Sequence, residues 1–176
     1  MLPGFKQWWK EDKAVVAVEV GLLMPLMLVL MLGSVDIGVW ILLDQKVLNA
    51  DQMVADLLTR NPTVSTTDLT NAIEAGKLTI QPYSTASYAV DIAGVQFVGG
   101  PTQPQVIWRY TTVNGVANPD VPADANNLGA DQEGVIVVTV TYTFIPPFLG
   151  VLANASYKMK EVAFARGRNG LFIPKV

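Results

Sequence analysis

AVVAVEVGLLMPLMLVLMLGSVDIGVWILL, residues 14–43, is the stretch that decides how this chain is built. Apolar residues run through it almost unbroken, and its ionisable side chains are Glu19 and Asp36. As a helix rising about 1.5 Å per residue it would be about 45 Å long, against a bilayer hydrocarbon core of about 30 Å, so it can cross once with tilt or overhang. A lone acid at the depth of Glu19 costs a few kcal/mol in lipid unless something neutralises it, which marks it as a functional residue.

The flanks set an orientation. Lys6, Lys10 and Lys13 precede the span, whereas Asp44, Lys46 and Asp51 follow it. The positive-inside rule therefore keeps residues 1–13 in the cytoplasm as a basic arm and places residues 44–176 outside it. Trp8 and Trp9 on one side and Trp40 near the other end are of the type that anchors at membrane interfaces. A cleaved secretory signal would need a much shorter apolar core followed by small residues, and Leu48-Asn49-Ala50 offers Leu where a small residue is wanted.

The order basic arm, small residue, short aliphatic stretch, Glu and apolar run resembles the class III signal of type IV pilins. More closely, Val15, Val16, Ala17, Val18, Glu19, Pro25, Gly33, Asp36 and Gly38 resemble the amino-terminal segment of the TadE-like minor pseudopilins of the tight adherence (type IVb-like) pilus. The resemblance implies cutting by a prepilin peptidase between Ala14 and Val15, with Ala14 standing where Gly is usual. It also implies subunit assembly through Glu19 and Pro25, with Gly33, Asp36 and Gly38 as an interface. The partners it implies are other pilins and pseudopilins, the inner-membrane assembly platform, the peptidase itself and membrane lipid.

Cleavage would create an α-amino group with a reference pKa of about 8, a cation able to neutralise Glu19 of a neighbouring helix. The alternative is that Glu19 and Asp36, about 25 Å apart along the helix, sit hydrated at the two edges of a thin apolar layer. Pro25 lacks an amide hydrogen and predicts a kink or local melting, which would help a subunit leave the bilayer; a tolerated bend is the simpler reading. Gly21, Gly33 and Gly38 do not form a GxxxG pair.

Beyond the span, Leu43, Val47, Ala50, Val54 and Leu57 recur at spacings of four and three, with Asp44, Asp51 and Asp56 off that stripe, so the helix continues as an amphipathic one to about Arg60, before Asn61-Pro62. Thr66 or Thr67 can cap a short helix through about Ala75, with Gly76 as its stop. Alternation then predicts strands over 88–98, 106–113, 135–144 and 157–165, with a turn at Asn114-Gly115. The expected fold is α+β: a long transmembrane and amphipathic helix packed on an antiparallel sheet, in the manner of pilins.

The composition agrees with this division. Of 176 residues 51% are hydrophobic and only 15% charged, well below the charge of an average soluble domain, and the length leaves room for one external domain beside the span. A net charge of -3 gives no basic face for nucleic acid. There is no His and no Cys, which removes the usual general base, imidazole ligand and thiol nucleophile, and no phosphate-cradling motif is present. Ser156 beside Lys158 and Lys160 reads as ordinary surface polarity. We therefore expect no enzyme, no catalytic residue, no metal and no cofactor. The acidic loop 118–133 is rich in oxygen ligands but lacks EF-hand spacing, since Val135 stands where the twelfth-position acid belongs, and it reads as a solvated loop. Trp108 and Tyr110 on one strand face read as half-buried core, and Lys158, Lys160, Arg166 and Arg168 as a charged strand edge.

The expected function is that of a minor pilin-like subunit in assembly or initiation of the pilus, anchored in the inner membrane with its domain in the periplasm. The rival is a permanently anchored periplasmic module binding a small ligand or ion.

Overall fold

The computed structural model describes residues 12–101, 103–115, 117 and 121–176. The basic arm with Lys6, Trp8, Trp9 and Lys10, and Asn118 and Asp120 of the acidic loop, lie outside the described residues. Helix α1 is Asp12–Thr59, followed by α2 Thr66–Ile80, β1 Ala89–Phe97, β2 Pro104–Thr111, a 3-10 turn Ala123–Ala125, β3 Glu133–Phe144, α3 Leu149–Ala153 and β4 Tyr157–Leu171. The chain is thus α+β, a long apolar helix followed by a four-stranded antiparallel sheet and small helices. It forms two compact units: Met1–Trp40 with Pro146–Ala155, and Ile41–Ile145 with Ser156–Val176.

In the second unit the strand order is β2-β1-β3-β4, all antiparallel. The central strands are the β-branched ones: β1 and β3 are buried almost throughout, while the edge strand β2 is largely half-exposed. One face gathers Ala93, Val95, Phe97, Val135 and Val137 under Val121 and Leu128 of the long loop. The register pairs Val90 with Val140, Ile92 with Val138 and Val140 with Glu161, which sets these on the opposite face. Leu43, Val47, Ala50 and Val54 of α1 and Leu69, Ile73 and Ile80 of α2 are fully or nearly fully buried, and Leu58 takes the buried place expected of Leu57, which is only half-buried.

Three local expectations are corrected. The cap of α2 is Ser65, not a threonine: its Oγ accepts from the Asp68 amide at 3.2 Å and the Asp68 carboxylate accepts from the Ser65 amide at 2.9 Å, a reciprocal pair that holds the Asp68 carboxyl below its usual range. Gly76 does not stop α2, which runs one turn further. A Cβ there would come 2.4 Å from Tyr88 Oη and 2.8 Å from Val54 Cγ2, so the glycine permits close approach of α2 to α1. Strand β4 continues past Ala165 to Leu171: Arg166 faces Val135 and Leu171 faces Glu133, with residues 167–170, including Gly167 and Gly170, taken up in the register shift between them.

Trp108 lies over Gly94, its pairing partner on β1, where an added Cβ would meet the indole at 2.2 Å. The indole Nε1 donates to Ile173 O at 2.8 Å, tying the carboxy-terminal segment to β2. Gly94→Ala is expected to displace the ring and cost about 1–3 kcal/mol, measured by thermal melts of the full chain in detergent; an unchanged melting temperature would contradict the packing described.

Candidate functional site

In the first unit, α1 exposes its apolar side chains all round from Val15 to Met31, with no residue of its most hydropathic window buried. The helix is long and apolar enough to cross a membrane. Ala14 and Val15 lie on consecutive helical positions. Glu19 is exposed among these apolar neighbours, and no hydrogen bond or ion pair reaches it among the described residues. Pro25 sits inside continuous helix, so the local melting that its missing amide suggested is not seen; the Gly21 carbonyl, four residues earlier, loses its usual donor. Gly21, Gly33 and Gly38 have open space where a Cβ would stand, leaving shallow positions on the helix surface.

Asp36 departs from its expected place as a hydrated edge residue. It is 3% exposed, and its carboxylate takes two backbone amides from a segment over a hundred residues further on: Phe148 N to Oδ1 at 3.2 Å and Leu149 N to Oδ2 at 2.7 Å. These amides open α3, whose first turn would otherwise leave donors unsatisfied, and Asn154 closes that helix in the left-handed conformation. Pairing a carboxylate with two amides removes most of the penalty of withdrawing it from water. Periodicity could not have shown this, since the partner is remote in sequence and donates only backbone.

The second unit holds a buried acid that the sequence reading placed off the apolar stripe. Asp51 is fully buried, and neither carboxylate oxygen finds a donor. Burial pushes its carboxyl up from 3.8 to about 8, with the nearby Glu161 charge adding to the shift. Tyr88 Oη is likewise buried without a partner; burial first, then the charges of Asp51 and Glu74, hold its hydroxyl above the ordinary tyrosine range. Glu161 is itself raised by burial and by Asp44. One signal for Asp51 was available: it stands four after Val47 and three before Val54, on the edge of the same stripe. The stripe is broader than a single row because α2 covers a second side of α1, where Lys46 Nζ donates to Thr79 O and Gln81 O at 3.0 and 2.8 Å.

Other polar and aromatic residues take structural places. Asp91 accepts from Thr111 Oγ1 at 2.5 Å and pairs with Arg109 at 3.7 Å across β1 and β2. The cleft beside them, lined by Val106, Val121 and Val137, is about 10 Å³, room for a single water, whereas small-molecule pockets run to several hundred Å³. In the acidic loop, Asp131 accepts the Gly99 amide at 2.8 Å, and Glu133 accepts the Ala130 amide at 2.7 Å and pairs with Arg166. No group of three potential metal ligands occurs among the described residues. Trp108 and Tyr110 are half-buried beneath the carboxy-terminal segment, with Lys175 Nζ 5.5 Å from the Tyr110 ring centroid.

Among the described residues the arrangement is one apolar helix able to span a membrane, followed in sequence by a small sheet domain. Among known families, the model described as TadE-like protein matches residues 14–56, the helical segment whose Val15 to Gly38 pattern carries the resemblance. The similarity to TadE-like proteins is a property of that segment alone, since the match ends within α1, before α2 and the sheet. No curated protein and no solved structure matches the chain.

Proposed function

We propose that the chain is a minor pilin-like subunit that takes part in assembly or initiation of a tight adherence pilus, working through helix packing and subunit contacts and not through catalysis. The observation that carries this is Glu19: an exposed acid with no partner among the described residues, set in a TadE-like helical segment among apolar neighbours. Such a charge in lipid calls for a counter-charge from outside the chain, and the α-amino group of a neighbouring subunit cleaved before Val15 is of the right sign. The basic residues before the span support, by the positive-inside rule, a cytoplasmic amino-terminal arm and a sheet domain on the far side, and in this reading the anchor is in the inner membrane and the peptidase acts from the cytoplasmic side. The assembly platform and sister pilins are the partners that would read the helix.

Two substitutions test the reading. Glu19→Gln removes the charge with little change of shape, and is expected to reduce recovery of sister pilins with this subunit, and pilus number per cell, by at least about tenfold, the equivalent of one lost charge pair of a kcal/mol or two. Glu19→Asp should retain part of both. Wild-type recovery and piliation in Glu19→Gln cells would rule out the assembly role of this acid.

A further inference from the structure

The segment Pro146–Ala155 lies outside the compact unit that holds the sheet. It reads PPFLGVLANA, and between Phe144 and Tyr157 the chain carries no charged residue. It belongs to the same compact unit as the apolar part of α1 and is tied to it by the two amides on Asp36. Far from forming core, it turns Val151 and Leu152 outward, 81% and 72% exposed. Exposed aliphatic side chains at the tip of an uncharged turn have no use for water.

Position along α1 identifies the covering phase. From Lys13, the last basic residue before the span, to Asp36 is 23 residues, about 35 Å of helix, a few Å more than a hydrocarbon core. Asp36 therefore emerges at the outer boundary, and Trp40, one turn later and 42% exposed, is a residue of the interfacial type. A segment hydrogen-bonded to Asp36 lies at that same depth, continuous with the apolar surface of α1.

Resting on the reading of α1 as a membrane span, we infer that Pro146–Ala155 is a second membrane contact, a short interfacial turn whose Val151 and Leu152 enter the headgroup and upper acyl region of the outer leaflet. The occupant of this apolar patch is lipid. Asp36 is the latch that holds the turn at the correct height, each of its carboxylate oxygens accepting one backbone amide, which lowers the cost of a polar group at the boundary. The subunit would then be gripped by lipid at two places, and leaving the bilayer would require both to be released.

The chain contains no cysteine, so single substitutions carry a unique nitroxide label. The full chain is placed in nanodiscs of phosphatidylcholine and phosphatidylglycerol and labelled in turn at Val151→Cys, Leu152→Cys, Leu28→Cys within the span, and Val113→Cys, a fully exposed loop position. The ratio of accessibility to oxygen over a water-soluble nickel chelate is expected to be at least about threefold higher at 151 and 152 than at 113, and highest at 28. Adding Asp36→Ala to Val151→Cys should bring the ratio down toward that at 113. A water-like ratio at 151 and 152 with a lipid-like one at 28 overturns the inference alone, whereas a water-like ratio at 28 overturns the membrane reading itself. Shielding of 151 from both reagents, with dipolar broadening between labels, would show a second copy as the occupant and also overturns it.

Discussion

Asp51→Asn is expected to stabilise the protein strongly at alkaline pH and hardly at all in acid. The carboxyl is buried without a donor and its pKa stands near 8 in the folded chain against 3.8 when free, with Glu161 adding to a shift that burial dominates. The folded state thus holds a proton that the unfolded state releases. The contribution to stability is fully present below pH 4, is lost progressively as pH rises toward about 8, and changes no further above that. A shift of about four units corresponds to a loss on the order of 5 kcal/mol over the window, about 1.4 kcal/mol for each pH unit. Melting of the full chain in detergent, followed from pH 4 to pH 9, should show the wild-type curve falling through this range and the Asn variant nearly flat. Glu161→Gln should shift the wild-type fall to slightly lower stability loss at a given pH, since it removes the smaller of the two causes. A wild-type curve without slope between pH 5 and 8 would mean that Asp51 is hydrated or paired in solution.

The second large effect is expected at the latch. Asp36→Ala leaves the Phe148 and Leu149 amides without the acceptors they use at 3.2 and 2.7 Å. Each charge-assisted bond contributes about 1.5–3 kcal/mol, and donors left dry cost a similar amount. The segment Pro146–Ala155 should open locally, with hydrogen exchange at residues 148–149 accelerated by roughly a hundredfold, while exchange in β1 and β3 stays unchanged. Asp36→Asn, which keeps one acceptor, should fall between. Equal acceleration across the sheet would show that Asp36 supports the whole fold and not one turn.

These two acids show where sequence reading stops. The strands were legible because alternation reports burial directly: β1, β2 and β3 fall within about two residues of the periods in Tyr88 to Phe144, and β4 starts at Tyr157 as its pattern indicates. The amphipathic run of α1 and the apolar span were legible for the same reason, one face or every face being oily. The TadE-like segment was legible in its spacing of Glu19, Pro25 and Gly33-x-x-Asp36-x-Gly38, which the family match then covered. What was not legible depends on remote partners. Gly76 reads as a helix stop until Tyr88 and Val54 crowd it. Asp36 reads as a wet boundary residue until the amides of residues 148 and 149 reach it. Asp51 reads as a solvated face until α2 and the neighbourhood of Glu161 close over it, and a local pattern offers no hint that burial will be left uncompensated.

The central claim, that this helix is processed and packed as a pilin helix is, is tested most directly by the mass of the mature amino terminus in cells with and without their prepilin peptidase. The account predicts a protein beginning at Val15, with Glu19 as its fifth residue, and an uncut chain retaining Lys6, Lys10 and Lys13 when the peptidase is absent. A chain that begins at Met1 in both would contradict it, and would leave a permanently tethered domain.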